Sequence, residues 1–285
     1  MSISIIIPTD DHIKLHYCLL SLSMQSYKDF ETVAIYYGND ESEYEKIQQE
    51  KIVDNIKFHC GAINSSEAKN IGIDKSCGEL IIFLDQDVLL NPMYLNDLLV
   101  AVDEKYRDEF IMWSAPFYLE PGWSCNLYKE IADDNVKNFL VTWQNEFNPN
   151  GSYKIIEDDS WVSSYKSNLY KSNLCVVKSF ILRNDLFFDK EMSGGEEIID
   201  WLFRSNNNGA NFILLKSNCW KMFHWFSIEA KRKIFRKSAK YNINKNSGLW
   251  RLRKDELESC HAEFKMKSDG MGSKLTTIFD DTVGE

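Results

Sequence analysis

Apolar residues in this chain come in short β-branched runs separated by longer amphipathic stretches, and that rhythm predicts the elements. "SISIIIP" (2–8) is an apolar run stopped by Pro8, the pattern of a buried strand. Leu15, Leu19 and Leu22 then recur at helical spacing across 12–26, and "QSYKDF" ends the pattern. "ETVAIYY" (31–37) and "IKFHC" (56–60) predict the second and third strands, with a polar, helix-prone stretch between them that runs to Val53. "SSEAKNIGIDKSCG" (65–78) opens on capping residues with Glu67 and closes at Gly78, a helix with its stop signal. "ELIIFLD" (79–85) is the fourth strand. Strands alternating with helices of about 10–15 residues imply βαβ units, hence an α/β fold with a mostly parallel sheet.

A further helix is predicted from 92 to about 110 and a strand over "FIMWSAPFYL" (110–119). Residues 120–172 differ in character: Trp123, Trp143, Trp161 and several tyrosines stand among many Asn, Ser and Asp, with weak periodicity. Such a mixture suits a surface that binds a sugar, or an irregular insertion packed on the sheet. Regular pattern returns with "LCVVKSFIL" (174–182), "GGEEIIDWLFRSNNNG" (194–209), the strand "NFILLK" (211–216) and "CWKMFHWF" (219–226).

Composition narrows the class. The 285 residues are 44% hydrophobic and 27% charged, with a net charge of −10, which is ordinary for a globular protein and opposes a general affinity for nucleic acid. No apolar stretch approaches the roughly 20 residues needed to span a bilayer. The first residues lack the basic region of a signal peptide and run straight into a strand, so the expectation is an intracellular, cytoplasmic protein. Seven cysteines are scattered without a CxxC, which argues against a disulfide framework or a zinc site.

The fourth strand ends in a chemical oddity. "LIIFLDQDVLLNP" (80–92) brings Asp85 and Asp87 together at a strand end, and like charges so placed repel unless a cation sits between them or both face water. A solvated turn or a helix cap would also explain them. In a parallel α/β sheet, however, ligands bind outside the carboxyl ends of the strands, which is where these acids fall. Hard oxygen ligands suit Mg²⁺ or Mn²⁺, which keeps positions open for substrate oxygens. A diphosphate on such an ion is a good leaving group.

Four blocks occur in sensible order: "SIIIPT", "QSYKDFE", "NSSEAKNIGIDKSCGELIIFLDQD" and "GGEEIIDWLFR". From Ser2 to about Trp225 the chain resembles the family-2 nucleotide-sugar glycosyltransferases of the GT-A fold, a Rossmann-like nucleotide-binding sheet with a smaller acceptor-side region. The resemblance implies a GT-A domain over 1–225, with a nucleotide-sugar half (1–115) and an acceptor and catalytic-base half (116–225), followed by a basic helical segment and tail (226–285). It places Pro8 and Thr9 beside the nucleotide, and Asp85, Gln86 and Asp87 at the D-x-D motif, with Asp85 on the ribose side and Asp87 on the metal and diphosphate. Lys69 stands where the family has Arg and would pair with phosphate, though without the bidentate fork. Asn64 falls in the same block, as does Asn70, which would either touch the ligand or tie helix to loop. Where family members read "VDDGS" the chain has "AIYYGND", so Tyr36 and Tyr37 replace acids and Tyr36 would stack on or hydrogen-bond the base. After Pro-Thr the usual Tyr-Asn is Asp10-Asp11.

The resemblance also places an acidic pair at the start of a helix, matched by Glu196 and Glu197, with Glu197 as the base that takes the acceptor hydroxyl's proton in a single displacement with inversion. First-turn acids stabilised by the helix dipole are the plainer explanation. Asp200 and Arg204, at i and i+4, read as a structural pair. His224 sits where some metal-dependent relatives carry a further metal ligand, or else is a core histidine between Phe223 and Trp225. In 227–254 basic residues greatly outnumber the one acid, Glu229, which fits a solvated face, a lid over the diphosphate, or peripheral contact with the inner face of a membrane bearing a lipid-linked acceptor. The expected activity is metal-dependent transfer of a hexosyl or N-acetylhexosaminyl group from a nucleotide-sugar donor, UDP being favoured, to a glycan in surface polysaccharide or lipopolysaccharide synthesis. The competing readings are a non-catalytic sugar binder on the same scaffold and a sugar nucleotidyltransferase. The latter needs a glycine-rich phosphate loop after the first strand, and "IIIPTDDHIK" has none.

Overall fold

The first strand explains the architecture. β1 (Ile3–Thr9) is buried along its whole length, because it lies inside a sheet covered on both faces. Ile3, Ile5 and Ile7 enter one apolar cluster and Ile6 enters the cluster on the opposite face, following the period-2 alternation of strands. Each fully buried isoleucine contributes about 1.5–3 kcal/mol. The computed structural model describes residues 1–105, 110–114, 117–118, 133–134, 136–138, 154–157, 172–192, 196–216 and 219–221. All belong to one unit, Met1–Ala239.

After β1 come α1 (His12–Ser23), β2 (Phe30–Tyr36), α2 (Glu41–Gln48), β3 (Ile56–His59), α3 (Ser65–Lys75), β4 (Leu80–Phe83), β5 (Val88–Leu90) and α4 (Tyr94–Lys105). They are followed by β6 (Phe110–Ser114), β7 (Phe117–Tyr118), β8 (Lys154–Glu157), β9 (Ser172–Val177), the short α5 (Lys178–Arg183), α6 (Glu196–Asn207), β10 (Asn211–Lys216) and β11 (Cys219–Lys221). The large sheet has the order β3-β2-β1-β4-β9-β6-β10-β8 and the small one β5-β11-β7. β1, β2, β3 and β4 are mutually parallel. β9 runs antiparallel between β4 and β6. The sheet is thus the mostly parallel, mixed one of the GT-A architecture.

The chain winds from β1 outward to β3, then α3 carries it back across β1 to β4 on the other side. The crevice between β1 and β4 is therefore a topological switch point, where open α/β sheets bind ligands. One face carries α1, α2 and α4 over an apolar core. The other carries α3, α5 and α6, with Trp201, Phe188 and Phe83 packed as an aromatic cluster.

Several predicted elements divide. The continuous run over 110–119 is two strands in different sheets, with Pro116, which lacks the N–H a ladder needs, between them. "VLL" after Asp87 is a strand of the small sheet, not the end of β4. "LCVVKSFIL" is strand to Val177 and helix from Lys178. Gly78, read as a helix stop, lies three residues past α3, and a Cβ there would stand 2.6 Å from the Ser4 backbone nitrogen. It is glycine because β4 begins hard against β1. The 120–172 segment is mostly, and 227–254 wholly, outside the described residues.

Candidate active site

Two strand ends build the floor of the crevice. Thr9 closes β1, fully buried, and Leu84 continues the β4 ladder by donating to the Ile6 carbonyl at 2.9 Å. Asp85 and Asp87 thus project just beyond β4 while Asp10 leaves β1 beside them. Gln86 ties the two ends together. Its Oε1 accepts from the Thr9 hydroxyl at 2.6 Å and from the Asp10 N–H at 3.1 Å, and its Nε2 donates to Asp10 Oδ1 at 2.5 Å. The amide side chain holds the crevice floor in register. Pro8 pairs with Ile35 of β2, one residue before Thr9.

Beneath the turn, α1 presents Cys18, whose thiol lies 3.9 Å from the Asp85 carbonyl oxygen. Burial pushes this thiol far above its usual range, and the charges of Asp87 and Asp85 push the same way. Both carboxylates are thus within electrostatic range of the same thiol. Among the described residues no cluster of three or more His, Cys, Asp or Glu stands at metal-binding distance. Two carboxylates are nonetheless enough for Mg²⁺ or Mn²⁺, which keeps waters and takes substrate phosphates as its remaining ligands. The pair fits such an ion. His224 lies outside the described residues.

Tyrosines 36 and 37 part company because alternate residues of a strand face opposite ways. Tyr36 packs into the core on the α1 side and stacks on Tyr44 with ring centroids 5.4 Å apart. Its hydroxyl donates to the Asp40 carbonyl at 3.0 Å and accepts from the Asp40 N–H at 3.1 Å. Gly38 is required there, since a Cβ would fall 2.2 Å from that hydroxyl. Tyr36 thus closes the β2–α2 loop. Tyr37 goes to the α3 side, against Val33, Ile35 and Ala68. Burial raises its hydroxyl pKa well beyond the usual range; Asp10, its hydrogen-bond partner, and the charges of Asp85 and Glu197 add to the effect. One phenol thus lies within electrostatic range of carboxylates from three separate segments. The residue pattern singled out Tyr36; the geometry puts Tyr37 in the site. The alternation of β2 separates the two rings but does not say which face meets the crevice.

α3 and α6 carry the third component. Glu197 is 3% exposed and Lys69 likewise 3%, and Lys69 Nζ stands 2.9 Å from Glu197 Oε1. The same ammonium donates to Ser65 Oγ at 2.7 Å and lies 5.3 Å from the Phe188 ring centroid. Lys69 is thus engaged with Glu197 and Ser65 in this structure. Glu196 begins α6; only its backbone is described. Asn64 caps α3, accepting from Glu67 N–H at 3.0 Å, and donates to the Lys190 carbonyl at 2.8 Å. Asn70 exchanges two hydrogen bonds with the Phe188 backbone, each 2.8 Å. Ser66 donates to the Met192 carbonyl at 2.6 Å. These three α3 side chains fix 188–192, the segment that leads toward α6. Asp200, fully buried, holds Arg204 at 2.8 Å, and Arg204 also donates to the Phe187 carbonyl at 2.6 Å.

An open sheet with acids at its switch point and a buried lysine–glutamate pair behind them defines an α/β transferase of the GT-A architecture. The chain matches the model described as "Glycosyl transferase family 2" over residues 4–185, more than half its length, and belongs to that family. No curated protein matches the chain. Among solved structures it is similar to S. aureus TarS 1-349 in complex with UDP, at 18% identity and TM-score 0.56, over 86% of this chain and 66% of that one. The same protein in complex with UDP-GlcNAc aligns at 17% identity and TM-score 0.57, over 86% and 67%. Against a longer TarS structure the chain spans 40% of the length. At such identities the likeness is one of fold.

Proposed function

We propose that the protein transfers a sugar from a nucleoside diphosphate donor to a hydroxyl of a glycan acceptor, with inversion. The observation that carries this reading is the Asp85–Gln86–Asp87 turn, pinned by Gln86 to the end of β1 at the switch-point crevice. The TarS complexes make UDP the first nucleotide and UDP-GlcNAc the first donor to test.

Asp85 and Asp87 would hold Mg²⁺ or Mn²⁺, with His224 a candidate further ligand. Bound there, the ion would neutralise charge on the departing diphosphate. The protein's own share is positional. Gln86 fixes the spacing of the acids, Thr9 and Pro8 line the nucleotide end, and the low-polarity wall behind Tyr37 strengthens each electrostatic contact. The base is the acidic pair that opens α6. Glu197 is the proposed member, since its charge adds, behind burial and the charges of Asp10 and Asp85, to the upward push on the Tyr37 hydroxyl. Lys69 orients it through Oε1. A carboxylate opposite the leaving group gives one displacement and an inverted anomeric centre.

Among the described residues no helix is long and apolar enough to cross a membrane. A lipid-linked acceptor at the cytoplasmic face, in surface polysaccharide synthesis, would be met by the basic stretch 227–254. The test is donor turnover: UDP release from UDP-GlcNAc, UDP-glucose, GDP- and dTDP-sugars, with and without Mn²⁺. Metal-stimulated release from one donor is expected. Silence across all of them would leave a sugar-binding protein instead.

A further inference from the structure

Asn173 is the most anomalous polar residue of the described chain. It is 1% exposed, and neither its Oδ1 nor its Nδ2 has a hydrogen-bond partner among the described residues. Its backbone is left-handed, φ 64°, a conformation that Asn tolerates better than other side-chain-bearing residues. It also sits in a break of register. Met112 pairs with Cys175 and Ser114 with Ser172, so two β6 steps match three β9 steps and Asn173 falls in a bulge. Bulges of this kind re-aim a side chain and are enriched beside active sites.

Position gives the anomaly a meaning. Because β9 is antiparallel to β4, its first residues lie at the carboxyl end of β4. The last paired residues are Phe83 and Leu174. Asn173 therefore stands alongside Leu84, one residue short of Asp85. A buried amide with both ends unsatisfied and a backbone in a costly region persists where function compensates the cost. The amide's two ends also select the ligand. A phosphate offers only acceptors and would leave Oδ1 unpaired, whereas neighbouring hydroxyls both donate and accept.

We propose that Asn173 binds hydroxyl groups of the donor's transferred sugar, next to the diphosphate site at Asp85 and Asp87, and so helps set which sugar is used. This rests on the nucleotide-sugar reading above.

The test is calorimetry in Mn²⁺ on wild type, Asn173→Gly and Asn173→Asp, with UDP and with the tightest binder among UDP-GlcNAc, UDP-GalNAc, UDP-glucose and UDP-galactose, alongside ligand-free thermal unfolding. Glycine keeps the left-handed backbone without strain and removes the unpaired amide, so its melting temperature should equal or exceed that of wild type. UDP affinity should be unchanged. UDP-sugar affinity should fall roughly tenfold, the loss of two net hydrogen bonds. Asn173→Asp, which replaces the donor nitrogen with an acceptor, should weaken the UDP-sugar at unchanged UDP affinity. An unaltered ratio of UDP-sugar to UDP affinity in both variants would overturn the inference alone. So would a lower melting temperature with both affinities intact, which is the mark of a structural amide. If wild type binds neither UDP nor any of these sugars, the donor reading fails and the inference with it.

Discussion

The two ends of the central sheet use their carboxylates differently. At the amino end, Glu31 on β2 is saturated: it accepts from the Ser4 hydroxyl at 2.5 Å and from the Cys77 N–H, and pairs with Lys57 at 2.6 Å. Burial pushes its pKa up, but those partners outweigh it and hold the group below its ordinary value. Ser4 in turn accepts from Gly78 N–H at 2.7 Å, so the cluster clamps the starts of β1, β2 and β4 together. At the carboxyl end, Asp10 bonds the Tyr37 hydroxyl and the charges of Asp85 and Glu197 reach it, while the charges of Asp87 and Asp85 reach Cys18. One end spends its charge on the fold. The other sets several carboxylates around the end of β4, the pattern of perturbed groups that marks candidate functional sites.

Removing the proposed base should have the largest effect. Glu197→Gln should cut transfer by about 10²–10⁴-fold and, because it strands a buried ammonium, destabilise the fold by about 3–5 kcal/mol. The double variant Lys69→Met/Glu197→Gln should recover much of that stability without recovering turnover. Activity that returns together with stability would show Glu197 to be an anchor, and would leave the base to Glu196. Next in size, Asp87→Asn should lower Mn²⁺-dependent UDP affinity by about tenfold or more, about 1.4 kcal/mol, with little change in melting temperature. An unaffected titration would put the metal elsewhere.

The amino end should answer in the reverse sense. Glu31→Gln leaves its three partners poorly matched and should cost about 1–3 kcal/mol, read by chemical denaturation, with UDP affinity untouched. A group whose folded pKa is lowered adds stability above its unfolded value and loses it as pH falls through the folded one. Wild type should therefore weaken below about pH 4.5 more steeply than the variant. The smallest effect concerns α1. His16 bonds Glu50 and Asp133 at 3.1 and 2.9 Å, and these acids, Glu50 foremost, raise it to about 9 from its usual 6.5 against the opposing effect of burial. Its contribution is complete below pH 6.5 and is lost as pH rises through about 9. His16→Gln should flatten the decline in stability between these pH values, and an unchanged slope would assign it to other groups.

Much of the frame was readable from residue order. Short apolar runs rich in β-branched residues and bounded by turn signals point to buried strands, and their alternation with helices implies a parallel core. The Asp85–Asp87 placement followed directly, because the end of an apolar run is the end of a strand. The Asp200–Arg204 pair was likewise legible from helical spacing. Divisions inside continuous apolar runs were not, since one hydrophobic stretch serves two sheets or a strand and a helix without changing its pattern. Lys69 illustrates the same limit in the site: its spacing within the block is evident, but its partner is 128 residues away on another helix.

Sequence alone determined the order in which the first strands and helices alternate, because that alternation is a local consequence of side-chain polarity, β-branching and turn chemistry. Only the tertiary structure decided that Tyr37 and not Tyr36 enters the crevice, that Gln86 bolts β1 to β4, that Glu197 meets Lys69, and that Asn173 is left unpaired beside Asp85. Each of these depends on contacts between distant segments, and no local pattern encodes which of two buried faces, or which far partner, a polar group will meet.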